Sequence, residues 1–248
     1  MQQKIYLILY GNEPYENKKK HFLALKKKIN WFDDIFCCGP DDLNDEFKNN
    51  KSIQPVFNSP GRGGGWWTWK PQIIYQKLNE INDNDILIYI DAGSSLNVNA
   101  EKRFKEYIDL INNSKYGILN FITTHQAIKW TNSATFDYHN IDYNSEAVLS
   151  NQSMTTLIII KKNAHSLDII QKWRKVVFDD PKLFSNHYNK INKTNGFIDH
   201  RHDQSHFSIL CKKYGGLALK DETFFSKEGG GFKLPIAQKY PFWATRKR

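Results

Sequence analysis

At 248 residues the chain is long enough to close a full hydrophobic core, and its 14 glycines and 8 prolines, with no repeat or low-complexity tract, exclude a disordered or solenoid protein. Thirty-five basic against 26 acidic residues leave a net charge of +9, which favours an anionic partner: nucleic acid, a membrane surface or a nucleoside diphosphate. Three cysteines, Cys37 and Cys38 adjacent and Cys211 alone, have neither the even count of a disulfide framework nor the CxxC spacing of a metal knuckle.

In chain order, Ile5–Tyr10 is a buried-strand pattern ending at Gly11-Asn12. Lys18–Ile29 carries Phe22, Leu23, Leu25 and Ile29 at near-helical spacing, with lysines on the other face. Phe32–Cys38 is a second strand, closed by Gly39-Pro40. Trp69-Lys-Pro71 opens a helix with Ile73, Ile74, Leu78 and Ile81 on one stripe, proline being well placed in a first turn. Asp85–Ile90 follows as the central strand. Glu101–Ile111 reads as helix, Gly117–Ile122 and Leu157–Ile160 as strands, His165–Val177 as an amphipathic helix, Asp203–Lys213 as a short helix and Leu217–Lys220 as a last strand. Gln126–Gln152 and Phe184–Gly196 are polar and weakly periodic, excursions suited to an acceptor. Alternating strands and helices with no linker predict one α/β domain over 1–248, a mostly parallel central sheet flanked by helices. The opening apolar run is too short for a signal peptide and nothing approaches a membrane span, so the expected location is the cytoplasm.

Two stretches carry the chemistry. Gly61-Arg-Gly-Gly-Gly-Trp-Trp-Thr-Trp-Lys-Pro71 is a permissive loop with three indoles and two cations. Asp85-Ile-Leu-Ile-Tyr-Ile-Asp91-Ala-Gly93 is an apolar strand that stops at a carboxylate and a glycine. A carboxylate just past a buried strand stands where α/β sheets bind their ligands. Cations, glycine amides and aromatic faces on that rim suit a phosphorylated, ring-bearing ligand, a nucleotide sugar. Asp91 is then a metal or ribose ligand, or else a turn aspartate. Arg62 offers a forked donor to phosphate and Lys70 a point charge, or both are ordinary surface cations. Of Trp66, Trp67 and Trp69, at least one anchors the loop in the core and another is free to stack on a sugar or base. Gly65 lets the loop approach a ligand, as does Gly93 beyond Asp91.

On the helix that begins at Asp203, that residue shares a stripe with Phe207, Leu210 and Cys211, which aims it inward. The residues leave two roles open: helix N-cap, or a base that takes a proton from an attacking hydroxyl. His200 and His202 alternate just before it, a spacing that does not make a zinc site without a third ligand; His202 is the one placed to meet a diphosphate or an acceptor.

The Gly-rich Trp-x-Trp-Lys-Pro, Tyr89-Ile-Asp-Ala-Gly93 and Arg201-His-Asp-Gln-Ser205 together resemble the GT-A-fold glycosyltransferases of bacterial polysaccharide clusters and large DNA viruses, in particular the rhamnosyltransferase-type domains of giant viruses. The resemblance runs from the first strand to Ala244-Thr-Arg246. It implies a GT-A-like (Rossmann-like) fold and inverting transfer of a hexosyl or deoxyhexosyl group from a nucleoside-diphosphate sugar, often UDP-linked, to a glycan or other hydroxyl. It implies Asp203 as the base, Tyr10 and Gly11 near a uracil-type base, and a divalent cation, Mn²⁺ or Mg²⁺, on Asp91. One departure stands out: the family's Asp-x-Asp is reduced here to Asp91-Ala-Gly93, which weakens a hard cation's oxygen shell. The competing readings are a catalytically weak sugar-nucleotide-binding relative, a basic nucleic-acid-binding module with stacking tryptophans, and a metal-dependent hydrolase built on Asp91, His200, His202 and Asp203.

Overall fold

The structure, a computed structural model, describes residues 2–226 and 231–247; Arg248 of the basic terminal run lies outside them. A seven-stranded sheet forms the centre, in the order β2 (Asp34–Cys38), β1 (Ile5–Tyr10), β3 (Ile86–Ile90), β7 (Leu157–Lys161), β5 (Ile118–Gln126) and β6 (Asn151–Ser153), with β8 (Leu217–Lys220) on the other edge of β5. β1, β2, β3, β5 and β8 run one way. A small two-stranded sheet pairs β4 (Ser95–Leu96) with β9 (Phe242–Trp243), a pairing of distant segments with no local signal.

Alternation along the strands sends side chains to two cores. Ile8, Tyr10, Leu87 and Tyr89 face the helices Trp69–Glu80, Ala164–Asp179 and Asp203–Tyr214, while Leu7, Leu9, Ile86, Ile88 and Ile90 face Glu16–Lys26 and Glu101–Asn112. β3 is buried along its whole length, as its unbroken apolar run requires of a strand covered on both faces.

Two strands reverse. β7 is antiparallel to both β3 and β5, and β6 is antiparallel to β5. Parallel neighbours need a crossover, usually helical; between β5 and β7 the chain instead makes the polar excursion. That excursion is ordered as the short helices Ala127–Trp130, Ser133–Tyr138 and Glu146–Leu149 around Ala127, Phe136, Val148 and Ile209. It docks on the second excursion through Ser133 N to Asn192 Oδ1 (2.7 Å), and just beyond that excursion Ile198 N donates to Lys129 O (2.8 Å). The reversal has a consequence at the rim: because β7 is antiparallel, its start lies beside the end of β3, and Asp91 N donates to Thr156 O at 2.9 Å.

Candidate active site

The rim is built by three segments. β1 ends at Tyr10-Gly11, and Gly11 packs closely against Ala92 just past β3. The glycine-tryptophan loop lies over it. Gly63, Gly64, Gly65, Trp66 and Trp67 are all left-handed, five in succession. Gly65 needs its lack of a side chain twice over, for its φ of +95° and because a Cβ would sit 2.6 Å from Phe57. Indole nitrogens tie the loop down: Trp66 donates to Ser59 Oγ and Trp69 to Gly63 O, each at 2.9 Å.

The three tryptophans divide. Trp69 is the buried anchor, its ring stacked on Tyr10 with centroids 3.8 Å apart. Trp69 and Tyr10 thus cover each other, and what they give the rim is support. Trp66 and Trp67 remain partly exposed and enclose His202, with ring centroids 5.1 and 5.3 Å from it.

Lys70 is not a surface cation. It is 1% exposed, and its ammonium lies 2.6 Å from Asp203 Oδ2 and 3.1 Å from Asp91 Oδ1. Burial works against its charge, but the two carboxylates more than offset this and hold its pKa above the ordinary lysine value. Tyr89 Oη adds a 2.8 Å hydrogen bond to Asp91 Oδ1, and Thr155 Oγ1 donates to Asp203 Oδ2 at 2.7 Å. Asp91 keeps 33% of its side chain exposed, with Oδ2 unbonded among the described residues.

Asp203 opens its helix but does not cap it. His202 holds the N-cap position, and the Asp203 carboxylate bonds to Lys70 and Thr155. Asp203 is buried with its stripe partners Phe207, Leu210 and Cys211, the inward face that the spacing predicts. Burial raises its pKa above the ordinary carboxylate value, against the pull of Lys70 and Thr155. Its Oδ1 has no protein partner among the described residues.

His200 and His202 are held by main chain: His200 Nε2 to Leu183 O at 2.9 Å, His202 Nδ1 to Phe184 O at 2.8 Å. His202 has a left-handed φ of 50°, and its Nε2 is buried without a partner among the described residues. Arg62 is exposed, 5.8 Å over Trp67 and 3.5 Å from Asp199. Gly93 receives the terminal segment: Thr245 Oγ1 and Lys247 N both donate to Gly93 O, at 2.9 and 3.0 Å.

The expected divalent cation does not fit this donor set. Asp91 Oδ1 and Asp203 Oδ2 are bonded to an ammonium, and among the described residues no three His, Cys, Asp or Glu side chains are grouped to surround a metal. Tyr89 and Thr155 are site residues to which the sequence pattern assigns no role. Tyr89 was visible there, two places before Asp91 and so on the same face of the strand; Thr155 has no local signal.

The chain has the GT-A glycosyltransferase fold. A solved glycosyltransferase involved in glycosylation of the major capsid of PBCV-1 is similar at a TM-score of 0.50 and 11% identity, over 97% of this chain and 93% of that one. Mouse xyloside xylosyltransferase 1 gives a TM-score of 0.46 at 11% identity, over 98% of this chain and 97% of that one. The galactosyltransferase LgtC with donor and acceptor sugar analogs gives 0.41 at 11%, over 98% and 84%. At this identity the likeness is one of fold. No protein-family model and no curated protein matches the chain. No helix among the described residues is long and apolar enough to cross a membrane.

Proposed function

We propose that the protein is a glycosyltransferase that moves a hexosyl or deoxyhexosyl group from a nucleoside-diphosphate sugar, UDP-linked, to a hydroxyl of a glycan, with inversion. The observation that carries this reading is the Asp91–Lys70–Asp203 cluster at the rim of a GT-A sheet, where such sheets bind ligands. Asp91, with its open oxygen, receives a hydroxyl of the donor. Gly11 keeps the end of β1 low enough for the nucleotide to approach, whereas Gly93, expected to do the same for β3, is instead covered by the terminal segment. Asp203 accepts the proton: an acceptor oxygen attacks the anomeric carbon, the bond from that carbon to the diphosphate oxygen breaks, and the proton passes to Asp203 Oδ1. A raised pKa suits that task, because it brings the base nearer the working pH. No step of this reading is routed through a divalent cation, and Lys70 engages one oxygen of each carboxylate.

Release of UDP from a panel of UDP-, GDP- and dTDP-sugars, with the anomeric configuration of the product read by NMR, tests it. Inversion with one UDP-sugar supports the reading; release from none of them, with acceptor present, overturns it. A second reading, a sugar-nucleotide binder without transfer, is favoured by the same ion pair, which neutralises the base. Tight UDP binding without turnover would select it.

A further inference from the structure

Three guanidinium groups come to this rim from three distant parts of the chain. Arg62 opens the glycine-tryptophan loop. Arg201 stands two places before Asp203; its guanidinium lies 4.4 Å over Trp130 and contacts the His125 ring, and its Nε is buried with no hydrogen-bond partner among the described residues. Arg246 is exposed on the terminal segment that seals Gly93, its Cα 3.3 Å from where a Cβ on Gly93 would lie and its guanidinium 5.5 Å over the Phe224 ring. That puts its backbone two residues from Asp91.

These charges share one space. Burial lowers the pKa of Arg201, and Arg62 and Arg246 lower it further, with only Asp199 acting the other way. Burial also lowers the pKa of His125, and Arg201 and Arg246 add to the effect. Asp199 meets Arg62 through a loose 3.5 Å contact between partly exposed groups, which stabilises little. Lys18 donates to Ser94 O at 3.1 Å; burial lowers its pKa, and Lys247 adds to the effect. Asp91 and Asp203 are engaged by Lys70, so the three guanidinium groups have only the loosely held Asp199 to offset them among these carboxylates, and an anion would relieve them. A forked guanidinium matches phosphate oxygens in pairs, whereas a carboxylate ligand set would match a metal.

We propose that Arg62, Arg201 and Arg246 form the seat of the donor's diphosphate, so that fixed guanidinium groups carry the charge that a divalent cation carries in other transferases of this fold. This rests on the nucleotide-sugar reading above. UDP and uridine binding, measured by calorimetry in EDTA and again in Mn²⁺, test it on the wild type and on Arg62→Gln and Arg246→Gln, both at exposed positions where folding is not at stake. The wild type should bind UDP in EDTA and uridine far more weakly. Each variant should weaken UDP roughly 10- to 100-fold, the worth of one charge-assisted contact, and leave uridine unchanged. UDP binding that requires Mn²⁺, or variants that bind UDP as the wild type does, would overturn the arginine seat and leave the donor reading standing. No binding of UDP under either condition would overturn both.

Discussion

Tyr89 Oη donates to Asp91 Oδ1 over 2.8 Å, so the last inward tyrosine of β3 orients the carboxylate that ends it. With Lys70 on the same oxygen, Asp91 is held from two sides while Oδ2 stays open. Replacing Asp91 by alanine removes the oxygen that meets the donor, and its partly exposed position makes the fold tolerant. Asp91→Ala should abolish donor binding or turnover with the far-UV spectrum intact. Wild-type UDP release by this variant would take Asp91 out of the site.

Lys70 is the opposite case, since its removal leaves two carboxylates facing each other without a counter-charge. Breaking a buried ion pair typically costs about 3–5 kcal/mol. Lys70→Met should lose stability of that order in urea unfolding, and adding Asp203→Asn should restore part of it, because the second change removes one of the stranded charges. Additive losses in the double variant would show that the two residues are not coupled.

Asp203→Asn keeps the shape but cannot take a proton. The variant should bind UDP as the wild type does and lose on the order of 10²–10⁴ in transfer rate. A folded, donor-binding variant that transfers at full speed would refute Asp203 as the base.

Below the rim lies a group of buried histidines. Burial pushes His139 down to about 4, His200 to about 3 and His202 to about 4, from an ordinary 6.5. Each is held neutral when folded, and the unfolded chain binds protons first. Their contribution is therefore present above pH 6.5 and is lost as pH falls from there towards 4 and 3. Thermal melts should fall steeply between pH 6 and about 4, and a flat profile across that range would contradict the neutral cluster.

Gly65→Ala meets both a left-handed φ and the Phe57 backbone, 2.6 Å away. A residue forced into a sparsely populated backbone region costs about 1–3 kcal/mol. The variant should melt lower and bind UDP more weakly, since the loop that carries Arg62 cannot keep its path. Unchanged UDP affinity would separate the loop's shape from donor binding.

Much of this was written locally in the chain. Apolar runs such as Ile86–Ile90 and stripes such as Ile73, Ile74 and Leu78 were legible because burial repeats at the period of the element, two for a strand and 3.6 for a helix. The strand-end position of Asp91 and the inward face of Asp203 followed from the same periodicities. Tertiary structure alone decided that Lys70 lies between them, since an isolated lysine before a proline reads equally as a surface cation. It also decided that β7 runs antiparallel and brings Thr155 to Asp203, and that the terminal segment seals Gly93 and sets Arg246 against it. Periodicity records which side of an element is buried. Which distant charges meet there depends on strand order and direction, set by packing across the whole sheet.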